Sequence, residues 1–263
     1  MNFKEYLLKI GVNKKQNLIV HSSFKKIISA FPFVSPQEAL NIMKELLTQD
    51  GSLIFPTFTY CFKKSIGDYE NFDRINSKSK VGLLSETFRI SQDVIRTGSP
   101  THSFALWGKI TDDIRETNSP ESPLGKDSVL EWLTYHQNSF VLMLGTDFSS
   151  LSYGHYLEIA AKVPWHDYSP WEYMNVLPIG VSIDGEQKLK EIPGCAKGFV
   201  NFEKYLLEKN KIRKYEWNGL DSYLISIKLL FDEGINFFSN NFEKLLCPAN
   251  TCPACDSRRR KFL

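Results

Sequence analysis

Two apolar segments separated by a well-defined helix most constrain the fold of this chain. Residues 17–21 form an apolar, β-branched run, and residues 52–55 form a second run after an Asp-Gly turn. Between them, Ser35 and Glu38 have the spacing of an N-cap and its capping-box partner, with Pro36 at the first helical position. A helix that connects two buried strands is typical of a parallel βαβ unit. The pattern therefore predicts an α/β fold.

The same signals predict elements along the rest of the chain. Helices are predicted for residues 3–10, 82–90, 128–133, 152–162 and 199–209. Strands are predicted for residues 103–108, 140–144, 176–183 and 187–192, and a long loop for residues 63–80. A last helix is predicted from Leu220 through Leu230, extending to Leu246. The expected fold class is a single α/β domain over residues 1–263, with a central mixed, largely parallel sheet and helices on both faces.

Charge and composition exclude several classes of protein. The formal net charge is +2, which gives no strong field for nucleic acid. The one dense basic run, residues 258–261, is interpreted as a solvated, frayed tail. No segment approaches 18 consecutive apolar residues, and the N-terminus lacks the apolar stretch of a signal peptide. We therefore expect no membrane partner and a cytoplasmic location.

The cysteines give an incomplete metal pattern. Five are present, namely Cys61, Cys195, Cys247, Cys252 and Cys255. The first two are expected to be isolated and reduced, and the last three form the segment CPANTCPAC, whose spacing suits a metal. A structural zinc site needs four ligands, and no fourth cysteine or histidine lies nearby in the tail. Only His166 could complete the set from a distance, so no metal is predicted.

Polar clusters stand where predicted strands end, which is where open α/β sheets place their sites. The clusters are VHSS (20–23), PTFT (56–59), SPTHS (99–103) and GHYLE (154–158). Taken in order they resemble the aminoglycoside 3-N-acetyltransferase family, through LIVHSSFKKI, GSLIFPTFTY, VGLLSETFR, SPTHSFALWG, ESPLG, FVLMLGTDF and GHYLE. The resemblance covers roughly residues 1–165, and PTHSFALWG is its most specific part. Residues 166–246 would be the substrate-side portion, and residues 247–263 a Cys-rich basic tail.

The resemblance implies an enzyme that transfers acetyl from acetyl-CoA to an amine. An ammonium must lose a proton before it attacks a thioester, and histidine is the usual general base. His155 and Glu158 are three residues apart on a predicted helix, so they share one face, and the carboxylate can orient the imidazole. We therefore predict His155 as the base with Glu158 behind it. His102 is the second candidate, with a role in positioning substrate or in catalysis.

Further contacts are predicted for the substrate amine and for CoA. The family resemblance places Glu86 near the amine, and Asp68 and Tyr60 are expected to contact the substrate with it. Hydroxyls and backbone N–H groups at turns can hold phosphates and amides. The predicted CoA contacts are His21, Ser22, Ser23, Phe24, Thr57, Thr59, Thr101, Ser103 and Arg89.

The sequence also departs from the family. Ser99 stands where the resistance enzymes commonly have histidine, and the chain is slightly basic where they tend to be acidic. A net-positive protein is poorly matched to a polycationic drug, so a nucleotide-linked amino sugar for surface polysaccharide is the expected acceptor. An aminoglycoside is the alternative acceptor, and a non-acetyl group or a carrier-protein donor stays open. A non-catalytic protein that binds CoA or sugar is the alternative of another class, and a homodimer is compatible with the sequence.

Overall fold

The computed structural model describes residues 1–263. It contains ten strands: β1 Asn17–Ser22, β2 Ser52–Pro56, β3 Phe62–Lys64, β4 Ile95–Arg96, β5 Phe104–Gly108, β6 Ser139–Leu144, β7 Val176–Ser182, β8 Gly185–Lys188, β9 Tyr215–Trp217 and β10 Leu220–Ser226. The α-helices are α1 Phe3–Ile10, α2 Phe24–Ala30, α3 Pro36–Leu47, α4 Leu83–Arg89, α5 Ile110–Asp113, α6 Val129–Tyr135, α7 Tyr153–Ala160, α8 Val200–Glu208, α9 Ile227–Asn240 and α10 Pro253–Phe262.

Seven strands form the main sheet, in the order β4-β5-β2-β1-β6-β10-β9. The predicted βαβ unit is present: β1 and β2 are parallel, and Ser35 caps α3 by accepting a hydrogen bond from the Glu38 N–H. β6 is also parallel to β1, so three parallel strands form the centre. The outer strands pair antiparallel. The predicted mixed α/β sheet is confirmed, with its parallel part limited to the centre.

Helices cover both faces of this sheet because successive side chains of a strand point to opposite sides. Ile19, Ile54 and Val141 face one core, which packs against α6–α9. Leu18 and Leu53, from neighbouring positions on the same strands, face the other core, which packs against α1–α4. The longest helix, α9, has 14 residues, and no helix combines the length and apolar character needed to cross a membrane.

A second, three-stranded sheet lies beside the first, in the order β3-β7-β8. It uses the strands predicted around residues 176–192, together with the short strand β3 at the start of the predicted long loop. Phe72, later in that loop, bridges Ser182 of β7. The loop is therefore anchored to this small sheet at its start and again at Phe72.

Two predictions for the C-terminal third are wrong. The predicted helix from Leu220 begins instead as strand β10, which pairs with β6 and forms a hairpin with β9; the helix begins only at Ile227. Asn218 and Gly219 connect the hairpin with φ angles of 48° and 77°, the left-handed values of a tight hairpin turn. The basic run is not a frayed tail either, because it lies on α10, where Arg258 is buried with 2% exposure.

Candidate active site

A cavity of about 900 Å³ opens at the carboxyl edge of the three parallel strands. It lies beside the end of β1 and is bordered by the segments that follow β2 and β6. β5 runs antiparallel to β2, so the residues before β5 reach the same edge. Of the predicted site residues, those that line the cavity are His21, Ser22, Tyr60, Asp68, His102 and His155. The topology thus brings together residues that are far apart in sequence.

His155 and Glu158 form a buried pair on α7. The distance from His155 Nδ1 to Glu158 Oε2 is 2.7 Å, and the two residues are 9% and 3% exposed. The other carboxylate oxygen accepts hydrogen bonds from Trp165 Nε1 at 2.8 Å and from Arg258 Nη1 at 3.1 Å. Both oxygens are therefore engaged, and the carboxylate is fixed in one orientation behind the imidazole.

The surroundings of Glu158 keep it ionised. Burial alone would raise the pKa of this carboxyl, but the charge of Arg258 and the hydrogen bonds from His155 and Trp165 outweigh burial and lower it. An ionised Glu158 favours the tautomer in which Nδ1 of His155 carries the proton. Nε2 then has a free lone pair, and the ring borders the cavity. This arrangement can accept a proton from a bound amine.

His102 also lines the cavity and lies among aromatic rings. Its ring centroid is 4.7 Å from that of Phe58 and 5.6 Å from that of Tyr60, both in edge-to-face contact. Nδ1 is 3.0 Å from Thr101 Oγ1. Burial, followed by the nearby charge of His155, lowers the pKa of His102 to about 3. His102 is therefore neutral near pH 7, and no carboxylate contacts it to stabilise a protonated form.

The sequence profile of the family described as aminoglycoside 3-N-acetyltransferase matches residues 19–239. The chain belongs to this family. It is therefore an acyltransferase, and acetyl-CoA fits this class of enzyme as the cosubstrate.

Two curated relatives and several solved structures are similar to this chain. An SPbeta prophage-derived aminoglycoside N(3')-acetyltransferase-like protein, YokD, of Bacillus subtilis (strain 168) is 24% identical over 71% of this chain and 80% of its own length. Aminoglycoside N(3)-acetyltransferase IV of Salmonella sp is 26% identical over 78% of this chain and 73% of its own. The apoenzyme structure of aminoglycoside acetyltransferase AAC(3)-IVa shares the fold, with a TM-score of 0.76 at 23% identity over 98% of this chain and 95% of its own.

Two further structures of similar fold contain ligands. A variant of AAC(3)-IVa with one histidine replaced by alanine is in complex with a gentamicin; its TM-score is 0.76 at 23% identity, over 97% of this chain and 93% of its own. AAC-IIIb is in a binary complex with CoASH, with a TM-score of 0.70 at 15% identity, over 90% of this chain and 94% of its own.

Several hydroxyls predicted to contact CoA do not line the cavity. Thr57 Oγ1 donates to the Ser103 carbonyl at 3.1 Å, Thr59 Oγ1 donates to the Pro100 carbonyl at 2.6 Å, and Thr101 Oγ1 contacts His102. These bonds form because the turn after β2 lies against the turn before β5. Ser23 and Phe24, at the start of α2, are also outside the lining. The hydroxyls of Thr57 and Thr59 thus connect the turn after β2 to the turn before β5.

Glu86 and Arg89 also lie outside the cavity lining, because they are bound to each other. On α4, Glu86 accepts from Arg89 Nε at 2.8 Å and from Nη2 at 2.6 Å, and it also accepts from the Ser79 N–H at 2.7 Å. The structure therefore does not bring Glu86 together with Asp68 and Tyr60, nor Arg89 with the other predicted CoA contacts.

Sequence reasoning missed some residues that the structure places at the site. Cavity walls come from the Ser149–Ser152 segment after β6, from Trp171 and from residues 192–194 and 196. The only feature of the sequence that pointed to these residues was their position, either after a strand or in the predicted substrate-side portion. Arg258, 100 residues beyond Glu158, had no local signal at all.

The interpretation of Cys195 as an isolated cysteine is wrong. Its sulfur lies with those of Cys247, Cys252 and Cys255, all four within 4.8 Å of one another. Cys195 follows Gly194 and precedes Ala196, two residues that line the cavity. The cysteine cluster is therefore connected directly to the cavity wall.

Proposed function

We propose that this chain transfers an acetyl group from acetyl-CoA to an amine of an aminoglycoside, with His155 as the general base. The buried His155–Glu158 pair beside a large cavity, in a chain of this family, is the observation that carries the proposal. A gentamicin and CoASH bound to proteins of the same fold support both substrate classes.

The proposed reaction uses the pair as a base and its stabiliser. His155 Nε2 removes a proton from the substrate ammonium, and Glu158 stabilises the resulting imidazolium. The free amine attacks the thioester carbonyl, so a C–N bond forms, the C–S bond breaks, and the nitrogen of the new amide releases its extra proton to solvent. The proton on His155 then passes to the CoA thiolate as it leaves. The neutral His102, which also lines the cavity, can contact substrate without competing for this proton.

The charged side chains that line the cavity are compatible with a cationic acceptor, although the net charge of the whole chain is positive. Asp68 and Glu70 both line the cavity, and so do Lys64 and Lys80. Glu70 is already paired with Lys80 at 2.7 Å, which leaves one carboxylate and one ammonium. The cavity is therefore not basic, so the net charge of +2 gives no reason to expect a nucleotide-linked sugar. The aminoglycoside alternative is better supported, and the homodimer stays a prediction.

His21 is a proposed ligand contact at the end of β1. It is 7% exposed, lines the cavity, and its Nε2 is buried without a hydrogen-bond partner in the protein. A buried polar atom without a partner is unfavourable unless a ligand supplies one. Residues of the small sheet, with residues 192–194 and 196, line another part of the cavity, where we propose that acceptor preference resides.

The test follows CoA thiol release with an aminoglycoside and with a nucleotide-linked amino sugar as acceptors. We expect turnover with the aminoglycoside, and a loss in His155→Ala of about a hundredfold or more in kcat. His136→Ala is the matched control, because His136 stacks on Trp132 outside this cavity. Turnover of the nucleotide sugar alone would contradict the acceptor assignment. Unchanged kcat in His155→Ala would contradict the assignment of the base.

A further inference from the structure

Four cysteines from two distant parts of the chain meet at one point. Cys195 lies in the segment between β8 and α8, and Cys247 follows the short 3₁₀ turn after α9. Cys252 is the N-cap of α10, and Cys255 lies in its first turn. The sulfurs of Cys195 and Cys247 are 3.6 Å apart, much longer than a disulfide bond. All four cysteines are thus free thiols at contact distance.

We propose that Cys195, Cys247, Cys252 and Cys255 bind one Zn²⁺ ion as a structural site. A tetrahedral zinc with Zn–S bonds of about 2.3 Å places its sulfurs about 3.8 Å apart. The observed cluster, with every pair of sulfurs within 4.8 Å, needs little adjustment to reach that geometry. Four thiolates saturate zinc and select it over harder cations, and each thiol gives its proton to solvent as the metal binds.

The surroundings suit a negatively charged metal centre. Four thiolates around one divalent cation leave two negative charges. The Lys197 backbone N–H donates to Cys195 Sγ at 3.4 Å, the kind of outer contact that supports a metal-bound sulfur. Arg259 donates from Nη2 to the Cys247 carbonyl at 2.7 Å, which brings a positive charge to the cluster. Cys255 is fully buried and Cys247 is 7% exposed, whereas Cys195 and Cys252 are half-buried, so the protein covers one side of the cluster.

The site would join the cavity wall to the support of the catalytic pair. Cys195 fixes the segment that includes Gly194, and the other three cysteines fix the start of α10. A Cβ atom on Gly194 would lie 2.3 Å from Arg258 Cζ, so only glycine permits this contact. Arg258 in turn binds Glu158 at 3.1 Å. The metal thus positions Arg258, although it lies outside the reaction itself.

The first experiment measures metal content in the full chain, purified under reducing conditions without a metal-affinity tag. Elemental analysis should find about one zinc per chain, released when a mercurial reagent titrates the thiols. Cys252→Ser should reduce the zinc content to less than about a tenth. Cys61→Ser is the matched control, because Cys61 is buried beside Thr59 and outside the cluster, and it should keep its zinc.

A second variant separates loss of the metal from loss of the fold. Cys252→His restores a zinc ligand, so it should recover the metal and the folded far-UV spectrum if Cys252→Ser loses both. Wild-type protein that binds no zinc when Zn²⁺ is supplied, or whose zinc is equally lost in Cys61→Ser, would overturn the proposal. Disulfide bonds among the four cysteines, found in protein purified under reducing conditions, would also overturn the proposal. Metal content is independent of the acceptor, so this result is separate from the test of acetyl transfer.

Discussion

Glu158 binds three side chains of the candidate site, and these contacts set the charge of its carboxyl group. It holds the His155 imidazole at 2.7 Å while Arg258 and Trp165 bind its other oxygen. Desolvation of a carboxylate is unfavourable, and here three donors offset it. Because these donors lower the pKa of Glu158, the group stabilises the fold above the ordinary carboxyl pKa. That contribution is lost as the pH falls through the lower folded-state pKa.

Replacing Arg258 should change how the stability of the fold depends on pH. Arg258→Met leaves a buried carboxylate without its guanidinium, so we expect the free energy of unfolding at pH 7 to fall by about 3–5 kcal/mol. The pKa of Glu158 should rise, so the deficit should shrink as the pH is lowered. Urea denaturation at pH 7 and pH 5 measures both effects. Arg260→Met, on the exposed side of the same helix, is the control; an equal loss there would contradict the role of the ion pair.

At the scale of secondary-structure elements, the sequence was sufficient where signals are local. The capped helix α3, the glycine-terminated helix α1 and the apolar strands β1, β2 and β6 agree with the predictions. The segment from Leu220 does not, because Leu220, Tyr223, Leu224 and Ile227 also match helical spacing. Pairing with β6 and the Asn-Gly turn decide in favour of a strand, and only the turn can be read from the sequence.

The turn between β9 and β10 gives a test of that conclusion. Gly219 has a φ of 77°, and a Cβ there would meet no atom within 4 Å, so any cost of substitution comes from the backbone alone. Gly219→Val should lower the free energy of unfolding by about 1–2 kcal/mol, and Gly219→Asn by less, because asparagine tolerates left-handed conformations. Thermal denaturation compares the two. Equal costs would show that conformational preference is not the cause.

At the scale of the whole molecule, the sequence predicted the edge of the sheet at which the site lies but not its supports. Strand ends identify His21, His102 and His155 because parallel strands end together. No local pattern connects Glu158 with Arg258, or Cys195 with Cys247, since 100 and 52 residues separate them. The hydroxyls of Thr57 and Ser103 contact each other because β5 pairs antiparallel with β2, and neither residue lines the cavity.

The buried histidines should make the stability of the whole molecule depend on pH. Burial lowers the pKa of His21 to about 4, and burial with the charge of His155 lowers that of His102 to about 3. Both stay neutral in the folded chain, while the unfolded chain binds protons below about pH 6.5. Stability should therefore fall as the pH decreases from 6.5, by about 2 kcal/mol per histidine at pH 5.

His102→Asn isolates one of these contributions. The variant should lose about 2 kcal/mol less than wild type between pH 7 and pH 5 in urea denaturation. An unchanged pH dependence in His102→Asn would mean that this imidazole is not held neutral by burial.

The division of the cavity between two sheets affects how such a protein can change under selection. His155 and Glu158, the proposed base and its partner, belong to a helix packed on the large sheet, whereas β3, β7 and the neighbouring Trp171 form a separate wall. α7 packs mainly against α6 and α9, so substitutions in this wall lie outside its main packing contacts. A different acceptor range can therefore arise by substitution in the small sheet, while the packing that holds His155 against Glu158 is retained.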